Sequence, residues 1–157
     1  MSGEPRPVGG ESAPTALSHI AVAVREADPL VHTLVSALGA TRGREELLDG
    51  GALRVVFVHL GPVTLELLEP RSGEHSVARF LDTHGPGLHH VSVEVSDLVA
   101  QLAQAKAAGA KLIDETPRAG AHGTQVAFLH PKSFGGVLLE LCQSRPARDA
   151  QEPPANR

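Results

Sequence analysis

The chain of 157 residues contains no Trp, no Tyr, four Phe and a single Cys. So few aromatic rings leave no stacking platform for nucleic-acid bases. A formal charge of −4 supplies no basic field for nucleic acid or an anionic membrane surface. Cys142 has no second cysteine to pair with, so a reducing compartment is expected, here the cytoplasm, with the thiol acting as a small buried hydrophobe. No apolar run approaches the roughly 20 residues that cross a bilayer, and the first residues lack signal-peptide and transit-peptide patterns. Hydrophobic residues at 41% and charged residues at 20% describe an ordinary globular chain with an aliphatic core.

The ends are polar and rich in Pro, and residues 1–15 and 144–157 read as disordered tails. Between them the chain repeats itself. His19-Ile20-Ala21-Val22-Ala23-Val24 matches His90-Val91-Ser92-Val93-Glu94-Val95, and both read as buried or half-buried strands. A helix follows each strand. In the first, Asp28 is the expected cap, Pro29 the first helical residue and Gly39 the closing residue, with Leu30, Val31, Leu34, Val35 and Leu38 on one face. In the second, Ser96 or Asp97 caps and Gly109 closes. The histidines stand 71 positions apart and the closing glycines 70.

Each half then turns to strands. Residues 53–60 and 63–68 flank a Gly61-Pro62 turn, and residues 124–129 and 137–141 flank HPKSFGG. Val63-Thr64-Leu65-Glu66-Leu67 matches Val137-Leu138-Leu139-Glu140-Leu141 at an offset of 74. The pattern is an α+β fold of two βαβββ modules, 16–70 and 88–143, whose sheets combine into one curved mixed surface. Residues 71–87, with Val77, Phe80 and Leu81 at helical spacing, connect them.

Taken singly, Glu66 or Glu140 reads as the solvated face of an alternating strand, and a His opening a strand reads as ordinary. Recurrence changes that. A pseudo-two-fold arrangement brings two His–Glu pairs towards one axis, and buried charges are normally paired or bound to metal. His19, Glu66, His90 and Glu140 are therefore the expected ligands of a divalent ion. Oxygen and imidazole donors without thiolate suit Mn, Co, Ni, Fe(II), Zn or Mg. His90 rather than His89 keeps the repeat in register, which directs His89 to the opposite strand face.

These residues carry a family resemblance. Ser18–Val24, Glu66–Pro70, Gly87–Val91, Lys111–Glu115 and above all His130-Pro131-Lys132-Ser133-Phe134-Gly135-Gly136-Val137-Leu138-Leu139-Glu140-Leu141-Cys142-Gln143 resemble methylmalonyl-CoA epimerases. These belong to the vicinal-oxygen-chelate superfamily, with glyoxalase I and extradiol dioxygenases. The resemblance spans roughly Leu17 to Gln143. It implies one divalent metal, often Co or Mn, a CoA thioester substrate, homodimers, and interconversion of (R)- and (S)-methylmalonyl-CoA by proton transfer at the α-carbon. It also implies Lys132 and Ser133 as substrate contacts. The acidic loop residue of the family falls here on Gly50, and a second acidic position falls on Arg54. Asp49, or Glu46 after a loop shift, is then the substitute base, or Glu140 serves as both ligand and base. Two other readings stay open: a glyoxalase I-like enzyme and a non-catalytic small-molecule-binding protein.

Overall fold

The structure, a computed structural model, describes residues 13–145, so most of the two expected tails lies outside the described residues. Strand β1 (Ala16–Ala23), helix α1 (Ala27–Leu38), β2 (Thr41–Leu48), β3 (Leu53–Leu60) and β4 (Val63–Pro70) form the first half. Helix α2 (Ser76–His84) follows. The second half is β5 (Gly87–Glu94), α3 (Leu98–Ala107), β6 (Arg118–Ala119), β7 (Gln125–Leu129) and β8 (Leu139–Gln143).

All eight strands form one sheet in the order β2-β3-β4-β1-β5-β8-β7-β6. In each half the first strand runs parallel to the last, β1 with β4 and β5 with β8. The halves join where β1 and β5 pair antiparallel. The mixed sheet curls into a half-barrel, as the α+β reading of two joined modules expected.

Alternation divides the strands between two faces. Val56, Val58 and Leu67 pack beneath α1 with Val31, and Ala127, Leu129 and Leu141 pack beneath α3 with Leu98 and Leu102. The next residues along, Val55, Phe57 and Leu68, face the other way, with Ala21, Ala23 and, from α2, Val77 and Leu81. This second face holds the polar residues of the site.

Helix α1 begins earlier than the Asp28 cap and Pro29 start expected. Ala27 opens it, and Glu26 in the cap position makes no side-chain cap bond. The Ala27 amide instead donates to Glu69 Oε2 at 2.8 Å, a carboxylate supplied by β4. Asp28 is drawn away to Arg54, which bonds it at 3.0 Å. In the second half Asp97 does cap α3, accepting from the Ala100 amide at 2.9 Å. The last strand runs Leu139–Gln143 rather than 137–141, because its parallel register with β5 begins at Val91 opposite Leu139. Strand β2 has the polar sequence TRGREELL and lies at a sheet edge, where alternation leaves little signal.

Candidate metal centre and its cavity

Strand register brings the two histidines together. Ala21 lies opposite His90 and His19 opposite Ser92 across the β1–β5 seam. The imidazoles meet edge to face, with Nε2 atoms 3.2 Å apart. Glu140, adjacent to Ser92 in the parallel β5–β8 register, places Oε1 3.4 Å from His19 Nε2 and Oε2 3.5 Å from His90 Nε2. Glu66, adjacent to Ala21 in the β1–β4 register, meets the other nitrogen of His19, Nδ1, at 3.3 Å. The structure thus converges His19, His90 and Glu140 on one point, with Glu66 at their side. Ser92 Oγ donates to Glu140 Oε1 at 2.8 Å and orients it.

All four side chains are buried, and burial sets their protonation. It lowers His19 to about 4 and drives His90 further down, so both imidazoles are neutral. It raises Glu66 to about 8, helped by the Glu140 and Glu46 charges. Burial raises Glu140 to about 7, against the opposing Ser92 hydrogen bond and Arg118 charge. Among the described residues no Lys or Arg bonds to any of the four. Two neutral imidazoles and two carboxyls that resist ionising are the donor set a divalent cation satisfies, so the residues fit such an ion.

The group sits in a cavity of about 780 Å³. One wall is apolar, made by Leu53, Val55 and Phe57 of β3 with Leu68 and Val77. His89 also lines this cavity, contrary to the opposite-face expectation. The pairing steps from Ala21–His90 to Val22–Leu88, so His89 is the extra residue of a β-bulge and escapes strict alternation. Its Nδ1 lies 2.9 Å from His90 Nδ1, and its ring packs edge-on to Phe80 of α2.

The remaining expected site residues fall in different places. Asp49 opens a tight turn at φ 53° and lines the cavity. Its Oδ2 is 2.8 Å from His75 Nε2. His75 Nδ1 accepts the Val77 amide at the start of α2, so the imidazole proton is on Nε2 and is donated to Asp49. Glu46 is engaged by His122 through Nδ1 and the backbone amide. Arg54 points to the opposite sheet face, bridging Asp28, Glu45 and Glu69. Lys132 and Ser133 form a short turn outside the cavity lining, and Ser133 Oγ accepts the Lys111 amide at 2.8 Å. Cys142 is buried, and burial pushes its thiol up to about 11, which favours the protonated form near neutral pH.

His75, His89, Arg118 and His122 line the cavity without having been singled out as site residues. They have no partner of the same kind in the repeat, so recurrence could not point to them.

The profile of the Glyoxalase/Bleomycin resistance protein/Dioxygenase superfamily matches residues 18–128, and the chain belongs to that superfamily. Within it the chain falls with the methylmalonyl-CoA epimerases. It is 37% identical over 129 residues to the mitochondrial methylmalonyl-CoA epimerase of Bos taurus, covering 82% of this chain and 74% of the relative. The crystal structure of methylmalonyl-CoA epimerase from Mycobacterium tuberculosis superimposes with a TM-score of 0.82 at 31% identity, covering 94% of this chain and 99% of that one. A variant of the Streptomyces coelicolor methylmalonyl-CoA epimerase, in complex with 2-nitronate-propionyl-CoA, superimposes with a TM-score of 0.78 at 29% identity, covering 84% and 96%.

Proposed function

We propose that this chain interconverts (R)- and (S)-methylmalonyl-CoA by removing and returning the proton on the carbon between thioester and carboxylate. The observation that carries this reading is the buried His19–His90–Glu140 group, with Glu66 beside it, inside a cavity large enough for an acyl thioester. His19, Glu66, His90 and Glu140 would hold a divalent cation, Co or Mn in our reading. When bound, that cation supplies the Lewis acidity that stabilises negative charge growing on the substrate oxygens.

The protein's own groups move the proton. Glu140 is the acid–base group for one face of the substrate as well as a ligand in this reading. Ser92 fixes its orientation. Asp49 is the acid–base group for the other face of the substrate, held by the Nε2 proton of His75. One carboxylate accepts the α-proton while the other, protonated, delivers one from the opposite side. The carbon is inverted and proton number is conserved. The apolar β3 wall keeps bulk water from the carbanionic carbon. Lys132 and Ser133 lie outside the cavity, where the distal part of CoA would run.

The protein loaded with Co²⁺ or Mn²⁺ should exchange the α-proton of methylmalonyl-CoA with solvent deuterium. Absence of exchange in metal-replete protein would sink the proposal. A homodimer belongs to the same reading: Leu17 and Leu88 stand 47% and 57% exposed on the two strands of the central seam. Light scattering at the mass of one chain would contradict it. The free, buried Cys142 suits a reducing compartment, the cytoplasm in this reading.

A further inference from the structure

Arg118 enters the cavity from β6, and three contacts fix where its charge lies. Its Nε donates to Asp114 Oδ2 at 3.2 Å, and the same carboxylate oxygen is anchored by the Phe128 amide at 2.8 Å. The guanidinium carbon lies 5.0 Å from the centroid of the Phe128 ring. That ring packs edge-on against His90, with centroids 5.0 Å apart, and Phe128 is paired with Glu140 between β7 and β8. A single phenyl ring therefore separates the guanidinium from the imidazole. Among the described residues Asp114 is its only hydrogen-bond partner, which leaves the Nη groups for the cavity.

The other two arginines of the cavity are differently disposed. Exposure does not separate them, with the Arg118 side chain 55% exposed and that of Arg44 65%, but Arg44 Nε donates to His122 Nε2 at 3.0 Å rather than lying over Phe128. Arg145 lies across Gly123 at the exposed end of β8. Neither is held against the buried cluster.

Charge balance gives this placement a purpose. Two ionised carboxylates, Glu66 and Glu140, would neutralise a divalent cation, while both imidazoles stay uncharged. A substrate that brings its own carboxylate finds no surplus positive charge from that group. A planar guanidinium, fixed on one edge by Asp114, presents its remaining N–H fork to a carboxylate.

We infer that Arg118 is a specificity-determining residue, receiving the free carboxylate of a 2-carboxyacyl thioester and so separating such substrates from acyl thioesters that lack one. This rests on the epimerase reading of the cavity. The test compares Co²⁺-loaded wild type, Arg118→Gln and Arg118→Lys, titrating malonyl-CoA and propionyl-CoA by calorimetry. Metal content and far-UV circular dichroism are followed alongside.

Wild type should prefer malonyl-CoA. Arg118→Gln should weaken malonyl-CoA about 10- to 100-fold, the loss expected of a charge-assisted hydrogen bond, and leave propionyl-CoA within about twofold. Arg118→Lys should recover part of the preference, with metal content unchanged in both variants. Equal weakening of the two thioesters would overturn the inference, since Arg118 would then serve the shared CoA portion or the fold. Undiminished malonyl-CoA binding, or a wild type that binds neither thioester, would overturn it as well. Deuterium exchange by wild type on methylmalonyl-CoA reports separately on the epimerase reading. Exchange together with an unchanged Arg118→Gln preference discards Arg118 alone.

Discussion

Metal affinity should depend on pH in a way the buried carboxyls dictate. Without a cation, Glu140 titrates at about 7 and Glu66 at about 8. Below those values each holds a proton that an incoming ion must displace, and above them the carboxylates are free. Affinity therefore rises with pH and levels off past about pH 8. The imidazoles add no slope here, because His19 at about 4, and His90 below its ordinary value, are already neutral. Summing the two proton displacements, apparent affinity for Co²⁺ should increase about a thousandfold between about pH 6 and about pH 9, near 4 kcal/mol. Close to two protons should be released per ion at the acid end.

Calorimetry in buffers of different ionisation enthalpy reads affinity and proton release together. A flat profile without proton release would refute the reasoning, since the carboxylates would then be ionised beforehand or absent from the shell. A slope of one proton would confine the shell to Glu140 and put Glu66 outside it. Metal-free stability should move the other way. A carboxyl raised above its unfolded value of 4.5 stabilises the fold at low pH and loses that contribution as pH climbs through its folded value. The histidines oppose this only below their unfolded value of 6.5. From about pH 6.5 to about pH 8, chelated protein should therefore melt at progressively lower temperature.

Three substitutions probe the rest of the site. His90→Ala should reduce metal affinity at least about 100-fold and abolish deuterium exchange, checked by metal analysis and mass spectrometry. Asp49→Asn should lower the epimerisation rate about 10²- to 10³-fold at unchanged metal content, and an unaltered rate would remove Asp49 from proton transfer. Glu69→Ala removes the carboxylate that caps α1. It should cost about 1 kcal/mol, lowering Tm by about 3 °C in a thermal melt, with exchange activity retained.

The repeat made much of this legible. Offsets of 71 and 74 predicted that two His–Glu pairs would meet, and β1–β5 antiparallel pairing is what brings them together. What stayed hidden depends on contacts far apart in sequence. The capping of Ala27 by Glu69 joins residues 42 positions apart, and no local pattern reports it. The bulge that turns His89 inward exists only against the partner strand. Arg54, aligned with an acidic family position, is carried by strand alternation to the far side of the sheet, where three carboxylates hold it. His75 and Arg118 are single occurrences, and a repeat can expose only what is written twice.

The seam between β1 and β5 has a mechanical side. Strand pairing joins the halves along β1 and β5, with His122 reaching across to Arg44 and Glu46 elsewhere, while His19 and Glu66 come from one half and His90 and Glu140 from the other. An ion held by donors from both would brace the seam directly over Ala21 and His90, coupling occupancy to the opening of those two strands. Amides of β1 and β5 near that point should then lose hydrogen-exchange protection first when the metal is stripped, ahead of Val56 and Leu67 beneath α1. The centre would act as a clasp, and its grip could be measured in protein that turns nothing over.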